Sequence, residues 1–179
     1  HPERGGVRLL RPSYEVAASP LRTDSDAVSE EFRQDAAGEQ PAFRLVTLND
    51  VHLRSRSMLL LTPDKDAVFL ESDRTRDNLE YTIVRECCRS YRNTSRDGAC
   101  FLAFDRWGYH YFYHWMVDTL CRFLALEALP PAVRVIMPRK TRPYMLRAME
   151  LMGVDADRFE YFDDEEWSLP VCHFAARPY

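Results

Sequence analysis

The chain has 179 residues, of which 46% are hydrophobic and 12% aromatic, and these values predict one globular domain with a substantial core. Its 24 basic and 28 acidic side chains give a net charge of −4 without a basic stripe, which argues against a nucleic-acid partner. No apolar run approaches the roughly 20 residues of a membrane span. The five cysteines lack zinc-ligand spacing, so we expect reduced, buried thiols in a cytoplasmic protein, either free or peripheral to the inner membrane.

The first 42 residues are rich in charged and turn-forming side chains, and we expect an N-terminal arm or extension that is partly irregular. Its apolar residues allow one short edge strand or a wrap over the body: Leu9, Leu10, Tyr14, Val16 and Leu21. From Phe43 the pattern changes to the alternation of a strand, which we expect to turn at Asn49-Asp50 and continue in a second strand. Residues 58–61 and 67–71 flank T-P-D-K-D and predict a hairpin, so residues 43–71 form a small antiparallel β element.

The second half of the chain alternates strand and helix patterns. Residues 78–91 indicate a helix. Short apolar runs at 99–104 and 133–137 predict strands buried on both faces. Residues 159–162 predict a third strand, and residues 169–174 predict a last strand after an acidic turn at 163–166. Between them we expect a helix over 109–129, ended by Pro130-Pro131, and a helix over 144–152. Thr141 is the expected N-cap of the latter, Gly153 its C-terminal glycine, and its inward residues are Met145, Leu146, Met149 and Met152. This alternation predicts an α/β fold with a parallel sheet and right-handed crossovers.

The helix predicted over 109–129 combines an apolar side with a polar flank. At about 100° per residue, one side is expected to face the core: Phe112, Met116, Thr119, Leu120, Phe123 and Glu127. The flank carries His110, His114, Asp118 and Arg122 at steps of four. Because burying such groups unpaired costs several kcal/mol, they either neutralise one another or line a cleft.

Spacing alone leaves three interpretations of this flank open. A ladder from His114 through Asp118 to Arg122 would stabilise an exposed helix face by roughly 0.2–0.5 kcal/mol per pair. His110, His114 and Asp118 are also metal-ligand types, but Tyr111 occupies the place of the catalytic Glu in H-E-x-x-H and no further ligand cluster accompanies them, so we expect no metal. Thirdly, a His held by a carboxylate one turn away has a fixed tautomer and suits acid-base work on a sugar hydroxyl.

The flank is also well placed for a ligand. In a parallel sheet, the loop 105–108 and the start of the long helix follow the carboxyl end of the strand 99–104, where ligands bind. A helix N-terminus there favours anionic groups. Arg106 and His110 are therefore candidate substrate contacts.

The segment F-Y-H-W-M-V-D-T-L-C-R, residues 112–122, resembles the signature of glycosyltransferase family 61, which runs roughly N-Y-F-H-W-x-x-D-x-L-P-R. V-T-L-N-D-V-H-L with L-L-L-T-P-D-K-D-A-V-F-L-E-S resembles the family's upstream strand-turn-strand, and R-V-I-M-P with M-E-L-M-G-V-D-A-D-R resembles its downstream segment. The likeness covers roughly residues 43–178. Tyr111 replaces the usual Asn and Cys121 a frequent Pro.

The resemblance implies that residues 43–179 form a Rossmann-like βαβαβ half of a GT-B-like glycosyltransferase, preceded by the small antiparallel β element. The implied reaction is inverting transfer of a sugar from a nucleotide-sugar donor to a saccharide hydroxyl, in polysaccharide, capsule or glycan biosynthesis, without a cofactor. The family's late arginine-bearing and H-G-A segments, which hold the donor nucleotide, do not occur within these residues. This implies that residues 43–179 are the acceptor-side domain, partnered by a C-terminal donor-binding half of the same protein or by a companion chain.

The resemblance also implies roles for single residues. His114 is the first candidate for the base, with Asp118 orienting it, and Asp118 itself is the second. Tyr113 and Trp115 stack on a sugar face, or they pack in the core. Arg122 pairs with Asp118 or meets an acidic acceptor. The alternative function is a non-catalytic α/β module, derived from such an enzyme, that binds a glycan or a protein.

Overall fold

A computed structural model describes residues 5–11, 14–16, 38–40, 43–55, 58–64, 86, 88–104, 108 and 110–175. Within these residues the protein is an α/β fold, with one mixed, curled sheet of eight strands and few helices. The strand predicted at 67–71, most of the helix predicted at 78–91, and Arg106 lie outside the described residues.

The antiparallel part of the sheet is built on strand β4 (Phe43–Arg54). Strand β1 (Gly5–Arg11) pairs with its first half, which confirms the edge-strand alternative for Leu9 and Leu10. Strands β2 (Tyr14–Val16) and β3 (Gly38–Gln40) form a separate two-stranded sheet. Strand β5 (Leu59–Leu61) pairs with the last residues of β4, so the strand predicted at 58–61 is confirmed.

The turn predicted at Asn49-Asp50 is wrong, because β4 runs through both residues to Arg54. Asp50 takes a left-handed conformation with φ 53°. In the register of the neighbouring strand β10 (Glu166–Ala175), Asp50 faces Pro170. Proline has no N–H to donate to the ladder, so the sheet accommodates an irregular residue opposite it.

The parallel part confirms the strands expected in the second half. Strands β7 (Ala99–Leu102), β8 (Arg134–Pro138) and β9 (Phe159–Phe162) are parallel neighbours in that order. On the other side of β7, strand β10 pairs with it in parallel, and strand β6 (Asn93–Ser95) pairs in parallel with the start of β10. The full order is β1-β4-β10-β7-β8-β9. Strands β8 and β9 follow β7 on one side, whereas β10 lies on its other side. Such a change in strand order marks the place where open α/β sheets bind ligands, at the carboxyl ends of the strands.

Only residues 163–165 join β9 to β10. The rings of Phe162 and Trp167 meet edge to face across this link, with centroids 5.0 Å apart, so the sheet curls strongly here. The acidic turn predicted at 163–166 is one residue too long, because Glu166 is already buried inside β10.

Helix α1, residues 112–128, joins β7 to β8 and ends before Pro130-Pro131 as predicted. Its winding changes from an α-helical turn (Phe112–His114) through a π-helical turn (Trp115–Thr119) to a 3-10 segment (Leu120–Ala128). The predicted core side is only partly right, because Phe112 and Met116 are exposed while Thr119 and Phe123 are buried. The buried face carries Trp115, Asp118, Arg122, Ala125 and Leu126. A uniform 100° rotation cannot follow such a change of winding.

Helix α2 (Pro143–Leu151) joins β8 to β9. Its N-cap is Arg142, so the assignment to Thr141 is wrong by one residue; the Thr141 hydroxyl donates to the Pro138 carbonyl instead. Met145 and Met149 are buried as predicted, whereas Leu146 and Met152 face solvent. The predicted C-terminal glycine, Gly153, has φ 73°.

Candidate active site

The candidate site lies at the carboxyl end of β7. Beyond Leu102 the chain continues through the buried residues Ala103 and Phe104, and α1 begins after Tyr111. The N–H of Trp115 donates to the Tyr111 carbonyl at 3.0 Å, which closes the first helical turn. The polar flank predicted from the sequence therefore starts where the change in strand order places a ligand.

His114 and Asp118 form the central contact of this site. The Nδ1 atom of His114 lies 2.6 Å from Oδ2 of Asp118, while the side chains are 35% and 8% exposed, respectively. The carboxylate is thus turned into the protein and the imidazole reaches the surface. When Nδ1–H donates to a carboxylate, Nε2 is the basic nitrogen of the ring, so this contact fixes the tautomer.

Arg122 and Trp115 are fully buried and hold α1 against the sheet. The Arg122 guanidinium donates to the Ala103 carbonyl at 2.8 Å and lies 5.2 Å from the centroid of the Phe174 ring. The Trp115 indole stacks on Phe104 with centroids 5.3 Å apart. Trp115 therefore packs in the core, the second of its two predicted roles. The first pair of the predicted ladder, His114–Asp118, is formed, but Asp118 and Arg122 are buried, so the ladder does not lie on an exposed helix face.

Five large hydrophobic side chains are exposed along the stretch that contains His114. We call this group the aromatic surface, and it consists of Tyr111, Phe112, Tyr113, Met116 and Val117, all of them exposed. The rings of Tyr113 and Tyr111 lie 5.5 and 6.1 Å from that of His114. His110 is exposed, with its ring 6.4 Å from that of Tyr111. Of the predicted substrate contacts, Tyr113 and His110 are thus brought to the surface beside His114.

In the part of the chain that the structure describes, no three His, Cys, Asp or Glu side chains come together so as to hold a metal ion. The described helices include none that combines the length and apolarity of a membrane crossing.

A second polar cluster, which the sequence did not reveal, lies between β4 and β10. Arg54 and Glu166 are buried cross-strand partners, and Arg54 donates to Glu166 through Nε at 2.7 Å and through Nη2. Nearby, burial and a hydrogen bond to the buried Glu86 carboxylate raise the pKa of Tyr91 to about 12. The sequence pattern did not predict the Arg54–Glu166 pair, because its members are 112 residues apart and Glu166 was assigned to an acidic turn.

His52 belongs to the same cluster. Its Nδ1 lies 3.2 Å from the Ser168 hydroxyl and 3.3 Å from the Glu166 carboxylate. A serine–imidazole–acid relay needs the two ring nitrogens for different partners. Because both contacts use the same nitrogen, this group is not such a relay.

Comparison of the chain with protein-family models, curated proteins and solved structures gives no match.

Proposed function

We propose that this chain is the acceptor-side half of an inverting glycosyltransferase, of GT-B-like architecture with a Rossmann-like βαβαβ core, which transfers a sugar from a nucleotide-sugar donor to a saccharide hydroxyl. The observation that carries the proposal is the 2.6 Å contact between His114 and Asp118, which joins a buried carboxylate to an imidazole at the surface. The resemblance of residues 112–122 to the signature of glycosyltransferase family 61 points to the same reaction.

In the proposed reaction His114 is the general base. The acceptor hydroxyl lies within about 3 Å of Nε2 and gives up its proton to it. The acceptor oxygen forms a bond to the anomeric carbon while the bond from that carbon to the phosphate oxygen breaks, and the nucleotide leaves with the electron pair. Attack and departure on opposite faces invert the anomeric centre. The imidazolium that forms is stabilised by the negative charge of the Asp118 carboxylate, which stays in contact with Nδ1 throughout the reaction.

The surroundings of the pair suit a sugar substrate. Exposed tyrosine rings such as Tyr113 and Tyr111 offer flat apolar faces with polar ends, to which a pyranose can bind. His110 lies beside them. Arg122 and Trp115 act through α1, since their contacts fix the helix to the carboxyl end of β7. The donor nucleotide is bound by a C-terminal half of the same protein or by a companion chain.

A second candidate is a non-catalytic module that binds a glycan or a protein. The aromatic surface favours it, because five exposed large apolar side chains on one helical stretch are suited to binding whether or not chemistry follows.

The deciding experiment measures nucleotide release from several nucleotide sugars, with the chain alone and together with a donor-binding half. His114→Ala should abolish release, and Asp118→Asn should lower it by roughly 100-fold or more, because the amide cannot stabilise the imidazolium. Asp157→Asn changes an exposed aspartate of a short helical turn and serves as the matched control. Release by neither preparation with any donor would favour the non-catalytic module.

A further inference from the structure

A cavity of about 350 Å³ lies between β4, β10 and the segment before β7, and it plays no part in the proposed transfer. Its polar lining consists of Asp50, His52, Ser95, Arg96, Asp97 and Ser168. Small-molecule sites span roughly 300–1,000 Å³, so the volume admits a small ligand. Residues 95–97 precede β7 whereas His114 follows it, so the two places lie at opposite ends of the strand.

The hydrogen-bond donors of this cavity are held in place. The Arg96 guanidinium lies 3.8 Å from the centroid of the buried Trp167 ring, and its Nε is 3.9 Å from Oε2 of Glu160. The backbone N–H of Arg96 donates to the Ser168 carbonyl at 3.0 Å. His52 is fixed through Nδ1 by Ser168 and Glu166. Side chains restrained in this way lose little rotational freedom when a ligand binds.

The acceptors are two exposed carboxylates at the rim. Among the described residues, the side chains of Asp50 and Asp97 make neither a hydrogen bond nor an ion pair. Asp50 also holds a left-handed conformation, φ 53°, and non-glycine residues in such conformations concentrate at binding sites. Both carboxylates are therefore available to accept hydrogen bonds from a ligand.

The charge balance selects the class of ligand. Two carboxylates line the cavity, whereas the Arg96 guanidinium lies against the Trp167 ring and near Glu160, so an anionic ligand would be repelled. The lining instead combines carboxylate acceptors with hydroxyl and imidazole groups within a small volume, with the rings of Pro63 and Pro170 as apolar surface. Vicinal hydroxyl groups, which donate and accept at once, match this pattern. We propose that this cavity is a second, non-catalytic site that binds a neutral saccharide unit.

Backbone amide shifts in two-dimensional NMR spectra test the proposal, with D-glucose, D-galactose, D-mannose and D-xylose as neutral probes and glucuronate and inorganic phosphate as anions. At tens of millimolar, at least one neutral sugar should shift the amides of Val51, His52 and residues 95–97. Asp97→Asn and Asp50→Asn should each weaken binding by about tenfold, because each removes a charged acceptor. Asparagine tolerates the left-handed conformation, so Asp50→Asn leaves the fold intact.

Asp157→Asn is again the matched control, and both it and His114→Ala should bind as the unsubstituted protein does. The proposal fails if no neutral sugar shifts these amides, if only the anions do, or if both aspartate variants keep the original affinity. Binding that persists without nucleotide release overturns the proposed transfer alone, and release without binding here overturns this site alone.

Discussion

Two buried carboxylates, those of Asp118 and Glu166, differ in their surroundings. Asp118 contacts an imidazole that reaches solvent, so proton exchange with a substrate is open to the pair. Glu166 contacts the Arg54 guanidinium, and both side chains are less than a tenth exposed. Glu166 also lies 3.3 Å from the imidazole of His52, but that side chain is only 17% exposed. The exposure of the partner therefore distinguishes the two carboxylates.

The Arg54–Glu166 pair yields a stability prediction. Glu166→Gln leaves the buried guanidinium without its counter-charge and should lower the free energy of unfolding by roughly 3–5 kcal/mol. Replacing both residues, as Arg54→Met with Glu166→Leu, should recover most of this loss because neither charge of the pair is then left buried without the other. Urea unfolding measures both.

The matched control for this prediction is the exposed Arg147–Glu150 pair, where Glu150→Gln should change the stability by less than about 1 kcal/mol. Equal effects of Glu166→Gln and Glu150→Gln would show that burial does not set the strength of the first pair.

At the scale of elements, the sequence predicts the strands well and the helix faces less well. Apolar runs located β7 and β8, since burial on both faces leaves a continuous signal. The core side of α1 was misassigned because its winding changes at Trp115 and again at Leu120. A turn was predicted at Asn49-Asp50 because these residue types favour turns, but pairing along β10 overrides that local preference.

The two polar contacts differ in how far apart their residues lie in the sequence. His114 and Asp118 are one turn apart on one helix, so their contact follows from sequence spacing. Arg54 and Glu166 are 112 residues apart, and their contact depends on the register of β4 against β10. Because the sequence does not reveal that register, Glu166 was assigned to the end of an acidic turn although it is a buried residue of β10.

The glycine at the C-terminus of α2 leads to a prediction about stability. Gly153 donates to the Glu150 carbonyl at 2.9 Å and Val154 to the Met149 carbonyl at 3.0 Å, which is a Schellman motif. A Cβ at Gly153 would meet no atom within 4 Å, so only backbone strain opposes a side chain. Gly153→Ala should therefore lower the free energy of unfolding, measured by thermal unfolding, by about 1 kcal/mol. Gly153→Asn should lower it by less, because Asn enters the left-handed region more readily. Equal losses for both variants would contradict this explanation.

At the scale of the whole molecule, β7 and β10 form the middle of the sheet. Cys100 and Cys172 are direct neighbours across these strands, both fully buried and both free thiols. Burial raises the pKa of Cys100 to about 11, and it raises that of Cys172 further. Since the thiolate is the reactive species, these two side chains report on the opening of the core.

Iodoacetamide labelling, located by tandem mass spectrometry at increasing urea, uses this property. In the native protein the exposed Cys88 should react readily, whereas Cys100 and Cys172 should stay unmodified until the chain unfolds. Because β7 is bonded on both sides, by β8 and β10, the two buried cysteines should become reactive together and at the urea concentration of global unfolding. Labelling of Cys172 before Cys100 would mean instead that β10 separates from the sheet on its own, and with it Glu166 and the wall of the saccharide cavity.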